Sequence, residues 1–245
     1  MEKLSVSIVI PAHNEEKYVV RCIRSVKAAA KRYGGEYEII VVCNRCTDRT
    51  AELALINGAK VIYNEDRCIA KVRNAGIAAA SGDMILTIDC DNRMTRGTVA
   101  EAAHLLSTGR YIGGGAPMRF ERYSFPLWLN DLMCRASFGI TGLYCGIFWA
   151  RRETFLAVGG FEELKAMEDA ATAKKLKKYG RARGLKYTCL RRNRLINSTR
   201  KYDDLGDWLY FKLMVANFGT LVRAAFGDRS GLDALLDRIF YDYNG

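Results

Sequence analysis

Between Val6 and Ile88, short apolar runs alternate with stretches of helical spacing, and this alternation constrains the fold more than any other feature of the chain. Val6 to Ile10, Glu38 to Val42, Lys60 to Tyr63 and Met84 to Ile88 are the strand-like runs. Glu15 to Lys31 carries Val19, Cys22, Ile23 and Val26 on one helical face. A second helix starts near Thr47, and Arg67 to Ser81 reads as a third before Gly82-Asp83 breaks it. An uninterrupted apolar strand must be covered on both faces. The order therefore predicts an α/β protein with a mostly parallel, right-handed wound sheet and helices on both faces.

Such sheets bind ligands at the carboxyl ends of their strands, and here those ends are polar. The first strand runs into Pro11-Ala12-His13-Asn14-Glu15, the second into Cys43-Asn44-Arg45-Cys46-Thr47-Asp48, and the fourth into Asp89-Cys90-Asp91-Asn92. One crevice can gather all three. Asp89 and Asp91 place two hard oxygen donors at a strand end, suited to Mg²⁺ or Mn²⁺ and to an ion that also bridges phosphate oxygens. The competing role for the pair is a turn held by Asx hydrogen bonds. Cys90, between them, points the other way and is expected to pack.

The length of 245 residues allows one large domain, or one with a small appendage. A globular composition excludes disorder and collagen-like repeats. The net charge of +11 is uneven: Ala170 to Tyr202 holds twelve basic residues and no acidic one, more than the whole excess. That stretch suggests a polyanionic partner, whether nucleic acid, an anionic membrane surface or a phosphorylated ligand, and the alternative is a merely soluble basic surface. The run from Leu4 to Ile10 is too short for a secretory core, so the eight cysteines are expected to be reduced thiols. Cys43 and Cys46 form a CxxC with no second CxxC or His pair to complete a zinc site. Gly113-Gly114-Gly115 indicates close backbone approach to some neighbour. Ala136 to Ala150 is uncharged but too short to span a bilayer. Trp208 to Phe226 reads as an amphipathic helix, open to core, oligomer or membrane-surface contact.

SIVIPAHNEE, EIIVVCNRCTDRT, RNAGIAAASGDMILTIDCDN, VGGF and MEDAATAKKLKKYG occur in that order. The series resembles the family-2 glycosyltransferases, nucleotide-sugar-dependent enzymes with a GT-A-like (Rossmann-like) fold, from Ser5 to about Gly180. The resemblance implies that Pro11, Ala12, His13, Asn14 and Glu15 hold the nucleotide base and ribose. The family's base-contacting carboxylate after the second strand matches Asn44, whose amide offers a donor and an acceptor instead. Arg73 matches the basic residue near the phosphates, its other reading being a surface helix arginine. Asp89 and Asp91 match the family's DxD and would hold Mg²⁺ or Mn²⁺, with Asp91 in direct contact and the ion neutralising the leaving diphosphate. Glu168 and Asp169 match the acidic pair that includes the acceptor-activating base, placed at Asp169; a pair complementing a helix dipole is the alternative. Within Ser198-Thr199-Arg200-Lys201, Arg200 is expected to meet the donor diphosphate. Gly146 and Gly159-Gly160-Phe161 resemble the acceptor-side strand and turn, and Trp128 and Trp149 either stack on sugar or base or pack in the core.

Together these readings predict residues 1–180 as the catalytic core, the nucleotide half ending near 95 and the acceptor half following. Residues 181–245 would be a basic, amphipathic, helical C-terminal tail packed on it. The implied reaction is metal-dependent, inverting transfer of a single sugar from a nucleotide-diphosphate sugar to a hydroxyl of a glycan or lipid-linked acceptor. The Gln-x-x-Arg-Trp motif of processive members does not occur in the sequence. The expected location is cytoplasmic, or peripheral against anionic lipid at the inner face of the membrane, with a homo-oligomer through 208–226 left open. Three alternatives remain at this stage. A basic nucleic-acid-binding protein would need no Asp89, Asp91 or Asp169. A nucleotidyltransferase would need a glycine-rich phosphate loop that PAHNEE lacks. A catalytically inactive GT-A scaffold is open because Cys43-Asn44 departs from the family pattern.

Overall fold

In the computed structural model, which describes residues 3–164, 168–209, 211 and 212, every residue of β1 (Val6–Ala12) is buried. The chain continues through α1 (Val19–Tyr33), β2 (Tyr37–Asn44), α2 (Thr50–Ile56), β3 (Lys60–Asn64), α3 (Ile69–Ala78) and β4 (Met84–Ile88). β2 and β4 pair parallel to β1 on its two sides, and β3 pairs parallel to β2. Alternate residues of β1 serve opposite faces. Ile8 and Ile10 pack with Cys22, Ile23 and Val26 of α1, whereas Val9 packs with Ala70, Val72 and Ile77 of α3.

Element ends differ from the sequence pattern where polar side chains take over the backbone. α1 begins at Val19 rather than Glu15, because Thr50 Oγ1 accepts from the Glu15 amide and Asp48 Oδ2 from the Glu16 amide. α2 begins at Thr50 rather than Thr47, because Asp48 Oδ1 accepts from the Thr50 amide. Pro11 and Ala12, expected in a loop, are the last residues of β1, paired with Val42 and Cys43. Pairing with β4 stops at Val9, so Pro11 sits where β1 has outrun that neighbour.

The second half adds β5 (Arg93–Met94), α4 (Thr98–Ser107), β6 (Tyr111–Gly115), β7 (Met118–Phe120), α5 (Phe125–Thr141) and β8 (Ile147–Arg151). After them come α6 (Arg152–Ala157), α7 (Glu168–Arg181), β9 (Lys186–Cys189), β10 (Leu195–Asn197) and α8 (Arg200–Leu205). The main sheet has the order β3-β2-β1-β4-β8-β6-β9, with β8 antiparallel to both neighbours. A smaller sheet has the order β5-β10-β7. The division expected after residue 180 therefore falls inside the fold: β9 is an edge of the main sheet and β10 the centre of the small one. Residues 186–197 are built into the core because their strands find hydrogen-bonding partners there. Of the expected 208–226 helix, everything beyond Lys212 lies outside the described residues, as does Tyr210.

Gly113-Gly114-Gly115 does mark close approach, and the neighbour is the protein itself. A Cβ on Gly114 would run into the Thr188 carbonyl and the Trp149 ring. Trp149 is fully buried, with Nε1 donating to the Gly115 carbonyl at 2.9 Å, so it packs in the core and is not a stacking platform. Gly114→Ala must displace backbone of β9 and is expected to destabilise the fold by about 1–3 kcal/mol, read as a lower urea midpoint at unchanged slope.

Candidate active site

The carboxyl ends of β1, β2 and β4 lie side by side at one edge of the sheet. His13 Nδ1 lies 2.6 Å from the Asn44 carbonyl, and Asn14, held at φ 50, accepts on Oδ1 from the Thr47 amide at 2.8 Å. These contacts knit the β1 and β2 ends together. Asn44 is buried, and its Nδ2 donates to the carbonyls of Asn64 and Asp66, both at 2.8 Å. The amide nitrogen is thus committed to the turn after β3. A carboxylate at this position could not donate to two carbonyls, which gives the substitution a structural reason.

Arg73, on α3, is 5% exposed. Nη2 meets Asp89 Oδ1 at 2.7 Å, while Nη1 meets Glu168 Oε1 at 3.0 Å and Asp169 Oδ1 at 2.8 Å. The Phe161 ring covers the guanidinium, 5.0 Å from its centroid. Burial opposes the charge on Arg73, but Asp169, Asp89 and Glu168 together hold it firmly protonated. Burial in turn raises the proton affinity of Glu168 and Asp169, against the pull of Arg73. Arg73 is neither a surface arginine nor, in this arrangement, a free phosphate ligand. It joins the end of β4 to the start of α7.

A second arginine closes the other side. Arg200, the first residue of α8, places Nη1 2.8 Å from both Glu15 carboxylate oxygens and Nε 3.2 Å from Asp91 Oδ2. The Ser198 amide donates to Asn92 Oδ1 at 2.9 Å, and Arg21 Nη2 donates to the Asp91 carbonyl at 2.8 Å. Burial raises the proton affinity of Asp91, and Arg200 opposes the shift. Arg200 thus reaches the expected site, but as the partner of two carboxylates. Most of the other basic residues between 170 and 202 face solvent: Lys174, Lys178, Arg181, Arg183, Lys186, Arg191, Arg192 and Arg194 are exposed. Lys201 does enter the electrostatic neighbourhood of Asp91, and burial with Arg200 beside it lowers its proton affinity.

The donor set suits a divalent ion shared with a ligand. Asp89 is paired to Arg73 through one oxygen, Asp91 is desolvated, and both are hard donors. Among the described residues no group of three His, Cys, Asp or Glu side chains could enclose a metal alone. Two carboxylates plus diphosphate oxygens and water is the arrangement magnesium commonly takes.

Of the residues singled out in the sequence, Asp89, Glu168 and Asp169 converge on Arg73, and Glu15 and Asp91 on Arg200. Pro11 and Ala12 are buried strand residues and offer only backbone here. Trp128 is exposed on α5, stacked with Phe125. Sequence reasoning missed Arg21 and Tyr18. The Tyr18 ring lies under both Arg21 and Arg200, 4.6 and 5.3 Å from their guanidinium carbons. Nothing in local spacing distinguishes Arg21 from the other cations of α1.

A wound α/β sheet with helices on both faces and acidic groups at its carboxyl edge is shared with solved nucleotide-sugar transferases. S. aureus TarS 1–349 in complex with UDP-GlcNAc superposes with a TM-score of 0.62 at 20% identity, covering 81% of this chain and 58% of that one. The mannosyltransferase PcManGT from Pyrobaculum calidifontis, in complex with GDP-Man and Mn²⁺, gives 0.64 at 18%, covering 80% and 57%. The glycosyl transferase family 2 model matches residues 7–159, and the chain belongs to that family. An undecaprenyl-phosphate 4-deoxy-4-formamido-L-arabinose transferase of Photorhabdus laumondii is 36% identical over 94 residues, covering 35% of this chain and 29% of the relative. The chain thus spans under a third of that relative's length.

The buried Glu15 supplies a pH test. Burial outweighs Arg200 and pushes its carboxyl up to about 7, from an ordinary 4.5. A raised acid favours the folded state below the unfolded value and loses that contribution as pH rises through the folded one. Stability should therefore fall between about pH 5 and 8 by up to about 3 kcal/mol, and Glu15→Gln should flatten that part of a denaturation-versus-pH curve.

Proposed function

We propose that this protein transfers a single sugar from a nucleotide-diphosphate sugar to an acceptor hydroxyl, with inversion and with a divalent ion. The observation that carries this reading is the convergence of Asp89 with Glu168 and Asp169 on one guanidinium, all within 3.0 Å of Arg73. It sets a diphosphate-side carboxylate beside a helix-borne acidic pair. In this reading the base and ribose lie along His13, Asn14, Glu15 and Asn44. Asp89 and Asp91 would hold Mg²⁺ or Mn²⁺, which when bound supplies positive charge against the departing diphosphate. PcManGT, the neighbour with bound Mn²⁺, supports this choice.

Asp169 is the acceptor base. Desolvation raises its proton affinity, so it takes a hydroxyl proton more readily than a solvated aspartate does. Arg73 keeps it oriented and ionised between turnovers. Glu168 shares the guanidinium and completes the charge balance around it. A hydroxyl acceptor needs such a base, whereas a phosphate acceptor is already ionised at neutral pH. The acidic pair in the first turn of α7 therefore favours a hydroxyl, on a glycan or on a lipid-linked saccharide.

A lipid-linked acceptor also suits the surface of α5. Phe125, Trp128, Leu132, Met133 and Ile140 are exposed there, with Trp208 against Phe125. Exposed aromatic and aliphatic side chains of this kind favour a membrane interface. No described helix is long and apolar enough to cross a membrane, so such contact would be peripheral.

A thermal-shift series with UDP-, GDP-, dTDP- and CDP-sugars, with and without Mn²⁺, tests donor binding. At least one should raise the melting temperature, more strongly with metal in the wild type than in Asp91→Asn; no shift with any of them would overturn the reading. Asp169→Asn is expected to retain donor binding and lose transfer by about 10²- to 10⁴-fold. Sedimentation with anionic vesicles should capture the wild type, and Trp128→Glu should weaken that capture severalfold.

A further inference from the structure

The CxxC of the β2 end is absorbed by neither donor binding nor catalysis. Cys43 is the penultimate residue of β2 and fully buried; Cys46 is half-buried beyond a turn in which Arg45 adopts φ 46. That left-handed residue folds the chain back, so the Cys46 thiol comes to the strand residue that pairs with Cys43, where the two thiols shift each other's proton affinity in opposite directions. Cys46 Sγ also lies 3.4 Å from the Ala12 carbonyl and 3.8 Å from that of Asn44, beneath the tip of β1. A half-exposed thiol three residues beyond a buried one, brought back by a turn, is the arrangement of an attacking cysteine and its resolving partner.

We propose that Cys43 and Cys46 are an oxidation-sensitive pair, closed to a disulfide by hydrogen peroxide and reopened by thiols. The Cys46 sulfur attacks one peroxide oxygen, the O–O bond breaks, and hydroxide leaves. The Cys43 sulfur then displaces hydroxide from the sulfenic acid, forming the S–S bond. The protons of the two thiols complete two waters, so two thiols lose two electrons and one peroxide gains them. The surroundings favour Cys46 as the attacker. The hydrogen bond from Cys43 draws its thiol down to about 6, with the Asn14 backbone and His13 assisting and burial and Asp48 opposing. The same contact, with burial, raises Cys43, as suits a resolving thiol that stays protonated until it is needed.

The pair sits inside the loop that clamps the β1 tip. Asn44, next to Cys43, contacts His13 through its carbonyl, and Thr47, next to Cys46, holds Asn14. Closing the S–S bond shortens the gap between these two anchors. The disulfide itself stands apart from the proposed function; its second consequence, weaker nucleotide binding, rests on that reading.

Trypsin cuts after Arg45, so a Cys43–Cys46 bond links peptides 33–45 and 46–49 and is visible by mass. Graded hydrogen peroxide on the full chain should produce this linked pair before any other cysteine is modified, and dithiothreitol should remove it. In Cys43→Ser, which keeps a donor beside Cys46 but removes the resolving thiol, dimedone should trap a sulfenic acid on Cys46; in Cys46→Ser, which changes a half-exposed side chain, no sulfenic acid should form at Cys43. Earlier oxidation elsewhere, or a Cys46 that stays reduced, overturns the proposal. Nucleotide affinity of the oxidised wild type should fall about tenfold, some 1.4 kcal/mol, and recover with dithiothreitol. A linked pair with unchanged affinity overturns the loop coupling. If the reduced protein binds no nucleotide, the donor-site reading fails while the mass result still decides the disulfide.

Discussion

A buried guanidinium surrounded by carboxylates is the interaction on which the site depends. Arg73 could not be buried alone, since an unpaired charge in the interior carries a desolvation cost of several kcal/mol. It is tolerable because Asp89, Glu168 and Asp169 approach within 3.0 Å and Phe161 covers one side. The dependence is mutual: without the cation, the desolvated carboxylates of Glu168 and Asp169 would repel each other and take up protons. Lysine would not substitute well, because only a planar fork reaches separate partners through Nη1 and Nη2 at once. The end of β4 and the start of α7 are thereby held in one geometry before any ligand arrives. Preorganisation of this kind is what an electrostatically driven transfer needs.

Arg200 repeats the device on the opposite wall, with the chain's ends exchanged. Glu15 lies just past the first strand and Arg200 begins α8, yet the guanidinium meets both carboxylate oxygens at 2.8 Å. β10 makes this possible by inserting between β5 and β7, which returns the chain to the β4 end, where Asn92 receives the Ser198 amide. The basic stretch thus divides into two uses. Arg200 and Lys201 act in the field of Asp91, while the cations of the outer face of α7 and the following turns meet solvent. The charge excess that pointed to a polyanion is mostly a surface property, and its site component is already balanced by acids.

The local chemistry was legible because it is local. Val6 to Ile10 reads as a buried strand from its composition, and Asp89-Cys90-Asp91 reads as paired donors with an inward thiol between them; Cys90 is indeed 2% exposed. Helix starts were misplaced by three or four residues where side chains such as Asp48 captured amides, a competition that periodicity does not register. The strand that follows residue 180 went unread for a different reason. β9 is a short run of four residues at a sheet edge, with too little apolar pattern to announce a strand.

By itself, the sequence determined the order of strands and helices as far as Ile88, the faces they bury, and which polar residues stand at those strand ends, because these follow from residue type and spacing along the chain. Only the tertiary structure decided that β8 runs against its neighbours, that Trp149 is core, and that Asn44 spends its amide on the turn after β3. It also decided which acids share which arginine. Arg73 lies 95 and 96 positions from Glu168 and Asp169, and Arg200 lies 185 from Glu15. Pairings over such separations depend on the path of the whole chain and on the cost of leaving any one of these charges buried alone, and neither is written in a local pattern.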